Sequence, residues 1–171
     1  MKEVSRSLKK QRGVFSDKFK ELKQYWKNYV FQCFLATLTM FLLLLLLSME
    51  HIVVIASIGS TAFIVFAMPK SITAKPRRVI GGHLIGFFSG SLCAMIPHSS
   101  FLWSVVVYSL AVGLSIFLMT IADAEHPPAS GTALGIAISG FSLDIAYSLV
   151  ISIVMLSLFH QLFKPVLKDL V

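Results

Sequence analysis

The sequence predicts an all-α membrane protein in which about six hydrophobic segments cross the bilayer. Of the 171 residues, 56% are hydrophobic and 13% are charged, whereas about 25% of the residues in an ordinary soluble domain are charged. The charges are also segregated, because residues 1–29 hold nine of the fifteen lysines and arginines. A small soluble protein keeps a large share of its residues at the surface, so this much apolar sequence indicates contact with lipid.

Six apolar segments follow the basic stretch. They cover residues 30–49, 52–68, 79–96, 101–122, 127–141 and 145–163. A helix needs about 20 residues to cross a bilayer, at a rise of about 1.5 Å per residue. We therefore expect segments two and five to be short or broken, and both contain Gly, Ser and Thr in their interior.

The basic residues 1–29 predict an amphipathic helix at the cytoplasmic membrane interface. One face of this helix collects large apolar side chains at a spacing of three to four residues, and most lysines lie off that face. These apolar residues are Phe15, Phe19, Leu22, Trp26 and Tyr29. Such a helix binds anionic lipids through its lysines; the alternative is a solvated helical tail.

The distribution of lysine and arginine predicts the orientation in the membrane. Besides the N-terminal stretch, the basic residues lie in the loop 70–78 and near the C-terminus, at Lys164 and Lys168. Six crossings place all of them on one side, which is the cytoplasmic side by the positive-inside rule. Five crossings would separate the C-terminal lysines from the rest, and four would make segments two and five re-entrant. We expect a multi-pass protein of the cell membrane (the inner membrane in a bacterium), with cytoplasmic termini and a tail at 166–171.

Two stretches resemble each other and suggest an internal repeat. Glu50-His51 precedes the small residues of segment two, and Glu125-His126 precedes those of segment five. This divides the chain into units of three segments, residues 30–97 and 101–163. An odd number of crossings inverts the second unit, which is a common plan in transporters. The alternative is coincidence, because small residues are common wherever membrane helices pack closely.

The small-residue clusters are candidate binding sites for a small anion. A break in a membrane helix frees backbone N–H groups, which must then face protein or a wet cavity. A half-helix beginning near Ser60 or Thr132 would point its positive end at the anion, with hydroxyl groups as further donors. The candidate residues are Gly59, Ser60 and Thr61 in segment two, and Ser130, Gly131 and Thr132 in segment five.

Two histidines are candidate site residues. In His126-Pro127-Pro128, the prolines suit the first turn of a helix, so segment five is expected to begin there. His126 could bind the anion, shuttle a proton or cap the helix. His83 lies just inside segment three, where a buried imidazole is costly and often functional; the alternative is a hydrogen bond to a neighbouring carbonyl group.

Charged residues near the cytoplasmic face predict an ion-pair cluster. Asp123 and Glu125 follow segment four, and we expect them to pair with Lys75, Arg77 or Arg78 of the loop before segment three. Together with Pro127 and Pro128, Glu125 and Arg77 are candidates for a gating or structural role.

The sequence predicts no enzyme activity and no cofactor. It contains no set of nucleophile, base and orienting residue, no Gly-rich phosphate loop and no metal-ligand spacing. The net charge of +7 lies beside membrane segments, so we interpret it as an orientation signal and expect no nucleic-acid partner.

Three motifs in order resemble the HPP family of membrane proteins. They are ASIGSTA (56–62) followed by FAMP (66–69), KPRRVIGGH (75–83), and HPPASGTA (126–133). The last contains the His-Pro-Pro motif that gives the family its name, at His126-Pro127-Pro128. The resemblance covers roughly residues 30–163, so we expect an HPP-type transmembrane domain at 30–165.

Some members of this family are associated with nitrite transport, so the resemblance implies a small-anion transporter or channel. Nitrite or a similar monovalent anion would bind near the midplane between the two helix breaks, and His83 and His126 would line or gate the path. One alternative is a conduit for a small neutral or cationic solute, and another is a non-transporting scaffold or sensor. A bundle this small is expected to form a homo-oligomer.

Overall fold

The computed structural model describes residues 2–46 and 52–171, and the side chains of residues 20, 22–45 and 54–171. All the regular structure in these residues is helical, as predicted. The helices are α1 (Lys2–Leu46), α2 (Ile52–Ala67), α3 (Pro76–Ala94), α4 (Phe101–Ile121), α5 (Pro128–Ser139) and α6 (Leu143–Phe163), with a 3-10 turn at Ile72–Ala74 between α2 and α3. The bounds of α2 to α6 follow the predicted segments within a few residues.

Within the described ranges, three stretches of helix are long and apolar enough to cross a membrane: Leu22–Leu45, Phe101–Ile121 and Leu143–Phe163. The prediction that segments two and five are short is confirmed, because α2 has 16 residues and α5 has 12. Helix α3 has 19 residues, but its first turn contains two arginines. The chain is therefore a membrane protein with helices of unequal length.

The predicted break inside segment two is wrong, because α2 is continuous through Gly59, Ser60 and Thr61. The hydroxyl group of Ser60 donates a hydrogen bond to the carbonyl oxygen of Ala56, and that of Thr61 lies 3.1 Å from the carbonyl oxygen of Ser57, each one helical turn earlier. Both hydroxyl groups find a partner without freeing the backbone. A single glycine in a packed helix lowers its stability only modestly.

The predicted break inside segment five is also wrong, because α5 runs from Pro128 to Ser139 without interruption. The helix stops at Gly140, whose φ of 80° is a left-handed conformation that glycine adopts without strain. The short length of α5 thus comes from its ends, at the two prolines and at Gly140.

Helix α1 bends at Tyr25, where φ is −116° and ψ is 21°. The bend separates the basic N-terminal part from the apolar part. Leu22 and Trp26 of the predicted amphipathic face are exposed, but the side chains of Phe15 and Phe19 lie outside the described set. The interfacial N-terminal helix therefore stays a prediction.

The helices traverse the bundle in alternating directions. At one face, which we call the α2-end face, His160 near the end of α6 donates from Nε2 to the carbonyl oxygen of Pro69 after α2, at 2.8 Å. At the opposite face, Trp103 Nε1 in α4 donates to the carbonyl oxygen of Pro97 after α3, at 2.8 Å. This alternation fits six crossings; the inverted repeat stays a prediction, because Glu50-His51 lies outside the described residues.

Three glycines bring α3 close to its neighbours, with Gly86 and Gly90 against α5 and Gly82 against Ala124 and His126 in the loop before α5. Gly82, Gly86 and Gly90 repeat every four residues and so share one side of α3. A Cβ atom on Gly90 would lie 2.5 Å from the carbonyl oxygen of Ala133, and one on Gly86 would overlap the carbonyl oxygen of Ala129. Close approach at small residues is typical of membrane helix pairs, and here it fixes α5 in the centre of the bundle.

The C-terminal segment predicted as a tail packs against α1 and α2. Gln32 of α1, which is buried, donates from Nε2 to the carbonyl oxygens of Phe66 and Lys168 and accepts from the backbone N–H of Lys168. The backbone N–H of Leu170 donates to the carbonyl oxygen of Ala67 at 2.9 Å. Residues 167–170 therefore close the α2-end face of the bundle.

Candidate functional site

Two histidines meet in the interior of the bundle. The rings of His83 on α3 and His126 before α5 have centroids 5.0 Å apart, and both side chains are 0% exposed. Gly82 makes this approach possible, because a Cβ atom there would lie 2.7 Å from the Cβ atom of His126. The α3–α5 contact thus places both imidazoles in one site.

Thr61 of α2 bridges the two rings. Its Oγ1 atom lies 2.8 Å from His83 Nε2 and 2.9 Å from His126 Nε2, and the residue is 0% exposed. A hydroxyl group donates one hydrogen bond and accepts others, so Thr61 can donate to one ring while it accepts from the other.

Two further hydroxyl groups continue the network on the other side of His83. Thr132 Oγ1 of α5 lies 2.8 Å from His83 Nδ1 and 2.8 Å from Ser57 Oγ of α2. Ser57 Oγ in turn donates to the carbonyl oxygen of Pro128. We call the five buried side chains the His–Thr cluster. Its members are Ser57, Thr61, His83, His126 and Thr132.

A backbone carbonyl group fixes the tautomer of His126. Its Nδ1 atom lies 2.9 Å from the carbonyl oxygen of Thr73 in the 3-10 turn. A carbonyl oxygen only accepts, so Nδ1 carries a proton and donates it. When His126 is neutral, its Nε2 atom is therefore an acceptor for the Thr61 hydroxyl group.

The cluster lies one to two helical turns inside the α2-end face. At about 1.5 Å per residue, His83 is about 10 Å from the start of α3, and Thr132 is about 6 Å from the start of α5. The cluster therefore draws on α2, α3, α5 and the 3-10 turn, and it is enclosed by protein on every described side.

The structure brings together four of the predicted site residues and leaves four apart. Thr61, His83, His126 and Thr132 belong to the His–Thr cluster. The other four, Gly59, Ser60, Ser130 and Gly131, do not.

Gly59 and Ser60 point away from the cluster. Gly59 lines an apolar groove of about 520 Å³ between α1 and α2, and Ser60 is exposed. They lie one to two residues before Thr61 on a continuous helix, and of the three residues only Thr61 faces inward.

Ser130 and Gly131 lie in the first turn of α5 and are partly buried. Gly131 packs against Ser57, since a Cβ atom there would lie 3.4 Å from the Cβ atom of Ser57. The two residues thus support the cluster by packing and backbone position.

The start of α5 does not offer the free amide groups that the sequence predicted for an anion. The N–H groups of Ala129 and Ser130 donate to the carbonyl oxygens of His126 and Pro127, at 2.9 and 3.1 Å. Pro127 and Pro128 have no N–H group at all. Any anion at this site would therefore rely on the side chains of the cluster.

The predicted ion-pair cluster forms, with Arg78 as the cation. Its guanidinium group pairs with the carboxylates of Asp123 and Glu125, and its side chain is 11% exposed. Arg77 and Lys75 are exposed and have no ion pair with these carboxylates in the structure. The Arg78 pairs tie the start of α3 to the loop that precedes His126.

Ser57 is a cluster member that the sequence reasoning did not select. It lies four residues before Thr61, so the two side chains share one face of α2, and that spacing was available in the sequence. The contact of His126 with the Thr73 carbonyl group involves the backbone, so the pattern of side chains in the sequence could not predict it. Among the described residues, no group of three His, Cys, Asp or Glu side chains is placed to hold a metal ion.

Comparison with known proteins gives a family and two partial relatives. Residues 21–167 match the model of a family described as HPP, transmembrane region. A transmembrane protein of Dictyostelium discoideum is 39% identical over 82 residues, which cover 48% of this chain and 29% of the relative. A second transmembrane protein of that organism is 33% identical over 85 residues, or 50% of this chain and 27% of the relative. The chain thus spans less than a third of these relatives. No solved structure matches it significantly.

Proposed function

The chain belongs to the HPP transmembrane family, and from that premise we propose that it is a transporter or channel for a small monovalent anion, with nitrite as the leading substrate. The observation that carries this proposal is the buried His–Thr cluster. Ionisable side chains inside a membrane bundle are costly to keep and usually serve function.

The cluster has the chemistry to bind a small anion. Three hydroxyl groups and two imidazoles supply hydrogen-bond donors from several directions, and an imidazolium group would add a positive charge. No lysine or arginine belongs to the cluster, so an anion would not be held by a permanent charge. Such binding is weak enough to allow release, which conduction requires.

The Arg78 ion pairs are the proposed gate. Arg78 connects the first turn of α3 to Asp123 and Glu125, and Glu125 directly precedes His126 in the chain. Moving His126 away from Thr61 requires the α4–α5 loop to shift, and these ion pairs oppose that shift. Loosening them would open the cluster to the α2-end face.

A flux assay in proteoliposomes tests the proposal. We expect nitrite, and to a lesser degree nitrate or formate, to enter faster than into empty liposomes of the same lipids. The Thr132→Val variant removes one hydroxyl group from the cluster without changing its shape, so it should lower the flux. Ser60→Ala removes an exposed hydroxyl group of α2 and should leave the flux unchanged. Equal rates in proteoliposomes and empty liposomes would refute the proposal.

A non-transporting scaffold or sensor is the second candidate. It is favoured by the mutual hydrogen bonds of the cluster, because each hydroxyl group and ring nitrogen there already has a protein partner. In that case Thr132→Val lowers the melting temperature, and no solute moves. Movement of ammonium or urea in place of nitrite would instead support a conduit for a neutral or cationic solute.

A further inference from the structure

The His–Thr cluster is a chain of hydrogen bonds that ends on a backbone carbonyl oxygen at both ends. The contacts in order are Thr73 O with His126 Nδ1 at 2.9 Å, His126 Nε2 with Thr61 Oγ1 at 2.9 Å, Thr61 Oγ1 with His83 Nε2 at 2.8 Å, His83 Nδ1 with Thr132 Oγ1 at 2.8 Å, Thr132 Oγ1 with Ser57 Oγ at 2.8 Å, and Ser57 Oγ with Pro128 O at 2.5 Å. Each contact needs one proton between its two atoms.

The neutral cluster is one proton short. The chain has six contacts. A seventh contact, between Thr61 Oγ1 and the Ser57 carbonyl oxygen of its own helix, is longer at 3.1 Å and leads out of the chain. Each of the three hydroxyl groups supplies one proton, and each neutral imidazole supplies one, which makes five. The two carbonyl oxygens supply none. In the neutral state, one of the six contacts therefore has no proton, and two lone pairs face each other there. Such an unsatisfied buried polar group is costly.

One added proton satisfies all six contacts of the chain, and it can sit on either ring. The Thr61 hydroxyl group then donates along the chain and not to the Ser57 carbonyl oxygen at 3.1 Å, which already accepts a backbone N–H of its helix. If His83 is the imidazolium, it donates to Thr61 and Thr132, and the Thr61 hydroxyl group donates to His126. If His126 is the imidazolium, it donates to Thr73 and Thr61, and the Thr61 hydroxyl group donates to His83. In both cases the Ser57 hydroxyl group donates to Pro128, and the Thr132 hydroxyl group donates to Ser57.

We propose that the His–Thr cluster binds one exchangeable proton, which His83 and His126 share through the Thr61 hydroxyl group. Transfer from His83 to His126 breaks the N–H bond at His83 Nε2 and forms an O–H bond at Thr61. The original Thr61 O–H bond breaks at the same time, and an N–H bond forms at His126 Nε2. One proton and one positive charge move, and the hydroxyl group is restored.

A second proton is opposed by charge repulsion. Two imidazolium rings with centroids 5.0 Å apart would repel strongly in a buried site. The Thr61 hydroxyl group would then accept from both rings and could donate only to the Ser57 carbonyl oxygen of its own helix, at 3.1 Å. The pair therefore takes up one proton in total.

The other ionisable groups around the cluster do not neutralise this charge. Helices α2 and α5 contain no ionisable residue. On the α3 and α4–α5 sides, Arg78 is already paired with Asp123 and Glu125, while Lys75 and Arg77 are exposed. On the α6 side, His160 donates to the Pro69 carbonyl oxygen, and Asp144 is exposed.

A small anion is therefore the natural counter-charge. This step rests on the proposed function: an anion in the cluster would favour the proton, and the proton would favour the anion. The two would bind together and cross as a neutral pair. Because carbonyl oxygens cannot pass a proton on, the proton leaves only when a contact of the chain opens, so the cluster carries a proton and does not conduct it.

The proton site is tested without transport. Full-length protein with ¹⁵N-labelled histidine is placed in lipid bilayers, and the imidazole nitrogen shifts are followed between about pH 4 and about pH 9, which brackets ordinary histidine titration. The two rings are assigned with His83→Asn and His126→Asn. We expect both to change in one shared transition that adds one proton in total. Rings that both stay neutral, or that each take up a whole proton, overturn the proposal.

Substitutions at Thr61 test the sharing. Thr61→Ser keeps the hydroxyl group and should preserve the shared transition. Thr61→Val removes it, so the proton should reside on a single ring; a shared transition in a folded Thr61→Val protein overturns the role of Thr61. If Thr61→Val does not fold, the wild-type stoichiometry and Thr61→Ser still decide, because loss of sharing in a folded Thr61→Ser protein contradicts the relay.

Coupling is tested in proteoliposomes that contain a pH-sensitive dye. We expect one proton to enter with each nitrite, at a rate that a potassium diffusion potential does not change. Nitrite movement without protons would refute the coupling and leave the anion transporter standing. A shared proton without nitrite movement would refute the anion transporter and leave the proton site standing.

Discussion

Single hydroxyl groups decide how the two buried histidines interact. Thr61 lies within 2.9 Å of both rings, and its neighbour Ser60, one residue away, is exposed. Because successive helical residues point about 100° apart, one position separates a cluster member from a residue on the outer surface. A substitution at either site therefore has a clear control on the same helix.

Ser57→Ala should destabilise the protein and lower its transport. The change leaves the Thr132 hydroxyl group with one partner fewer and the Pro128 carbonyl oxygen without the Ser57 donor. Loss of a buried hydrogen bond costs about 1 kcal/mol, and more when a partner stays unsatisfied. Thermal unfolding in detergent should show a lower melting temperature for Ser57→Ala. Ser60→Ala, the control, should change the melting temperature little, and an equal loss in both variants would contradict the assignment.

At the scale of the helices, much of the fold was predictable from the sequence. Long apolar runs bounded by Pro, Gly and polar residues located α2 to α6, because burial in lipid leaves a strong compositional signal. The predicted internal breaks were wrong for a physical reason. Gly, Ser and Thr weaken a helix in isolation, whereas in α2 the hydroxyl groups of Ser60 and Thr61 find partners beside an intact backbone, and in α5 Gly131 packs against Ser57 of α2.

The site was predictable only in part. His83 and His126 stand out because a buried imidazole is unusual in an apolar sequence, and Thr61 and Thr132 lie in the small-residue clusters. Which residue of each small-residue cluster faces inward depends on how its helix is rotated about its own axis. That rotation depends on packing contacts such as the one between α3 and α5. The contact of His126 with Thr73 depends on the position of a backbone carbonyl group, which the pattern of side chains does not indicate.

Gly86→Ala should disrupt the packing of α3 on α5. The new methyl group would overlap the Ala129 carbonyl oxygen, and forcing an extra carbon into a packed interior costs about 1–3 kcal/mol. Gly113→Ala in α4 is the matched control, because nothing lies within 4 Å of its added Cβ atom, and alanine favours a helix over glycine by about 1 kcal/mol. We expect a lower melting temperature for Gly86→Ala and an unchanged or higher one for Gly113→Ala. The reverse order would contradict the backbone contact.

At the scale of the whole molecule, the C-terminal segment and α1 stabilise each other. Gln32→Met removes the amide that bonds Phe66 and Lys168, so residues 167–170 should detach more readily. Hydrogen exchange measured by mass spectrometry should show faster exchange at Leu170. Gln161→Met, at an exposed position of α6, is the control; unchanged exchange in Gln32→Met would show that other contacts hold the segment.

The alternating helices and the positive-inside rule predict which face is cytoplasmic. In a protein whose two cysteines are replaced by alanine, Ser99→Cys between α3 and α4 should react with a membrane-impermeant thiol reagent added to intact cells. Lys75→Cys before α3 should react only after the cells are opened. Both positions are exposed in the structure, and labelling of Lys75→Cys in intact cells would reverse the orientation.

The glycine contact between α3 and α5 also determines how the molecule can move. Helices whose backbones touch along two turns cannot slide past each other without losing that fit, so α3 and α5 behave as a single rigid body. His83 and Thr132 travel with this body, whereas Ser57 and Thr61 travel with α2. Apart from a shift of the α4–α5 loop at the Arg78 ion pairs, a conformational cycle that opens the cluster must therefore separate α2 from the α3–α5 pair. The contacts of α2 with α3 and α5 are then the ones that change during the cycle.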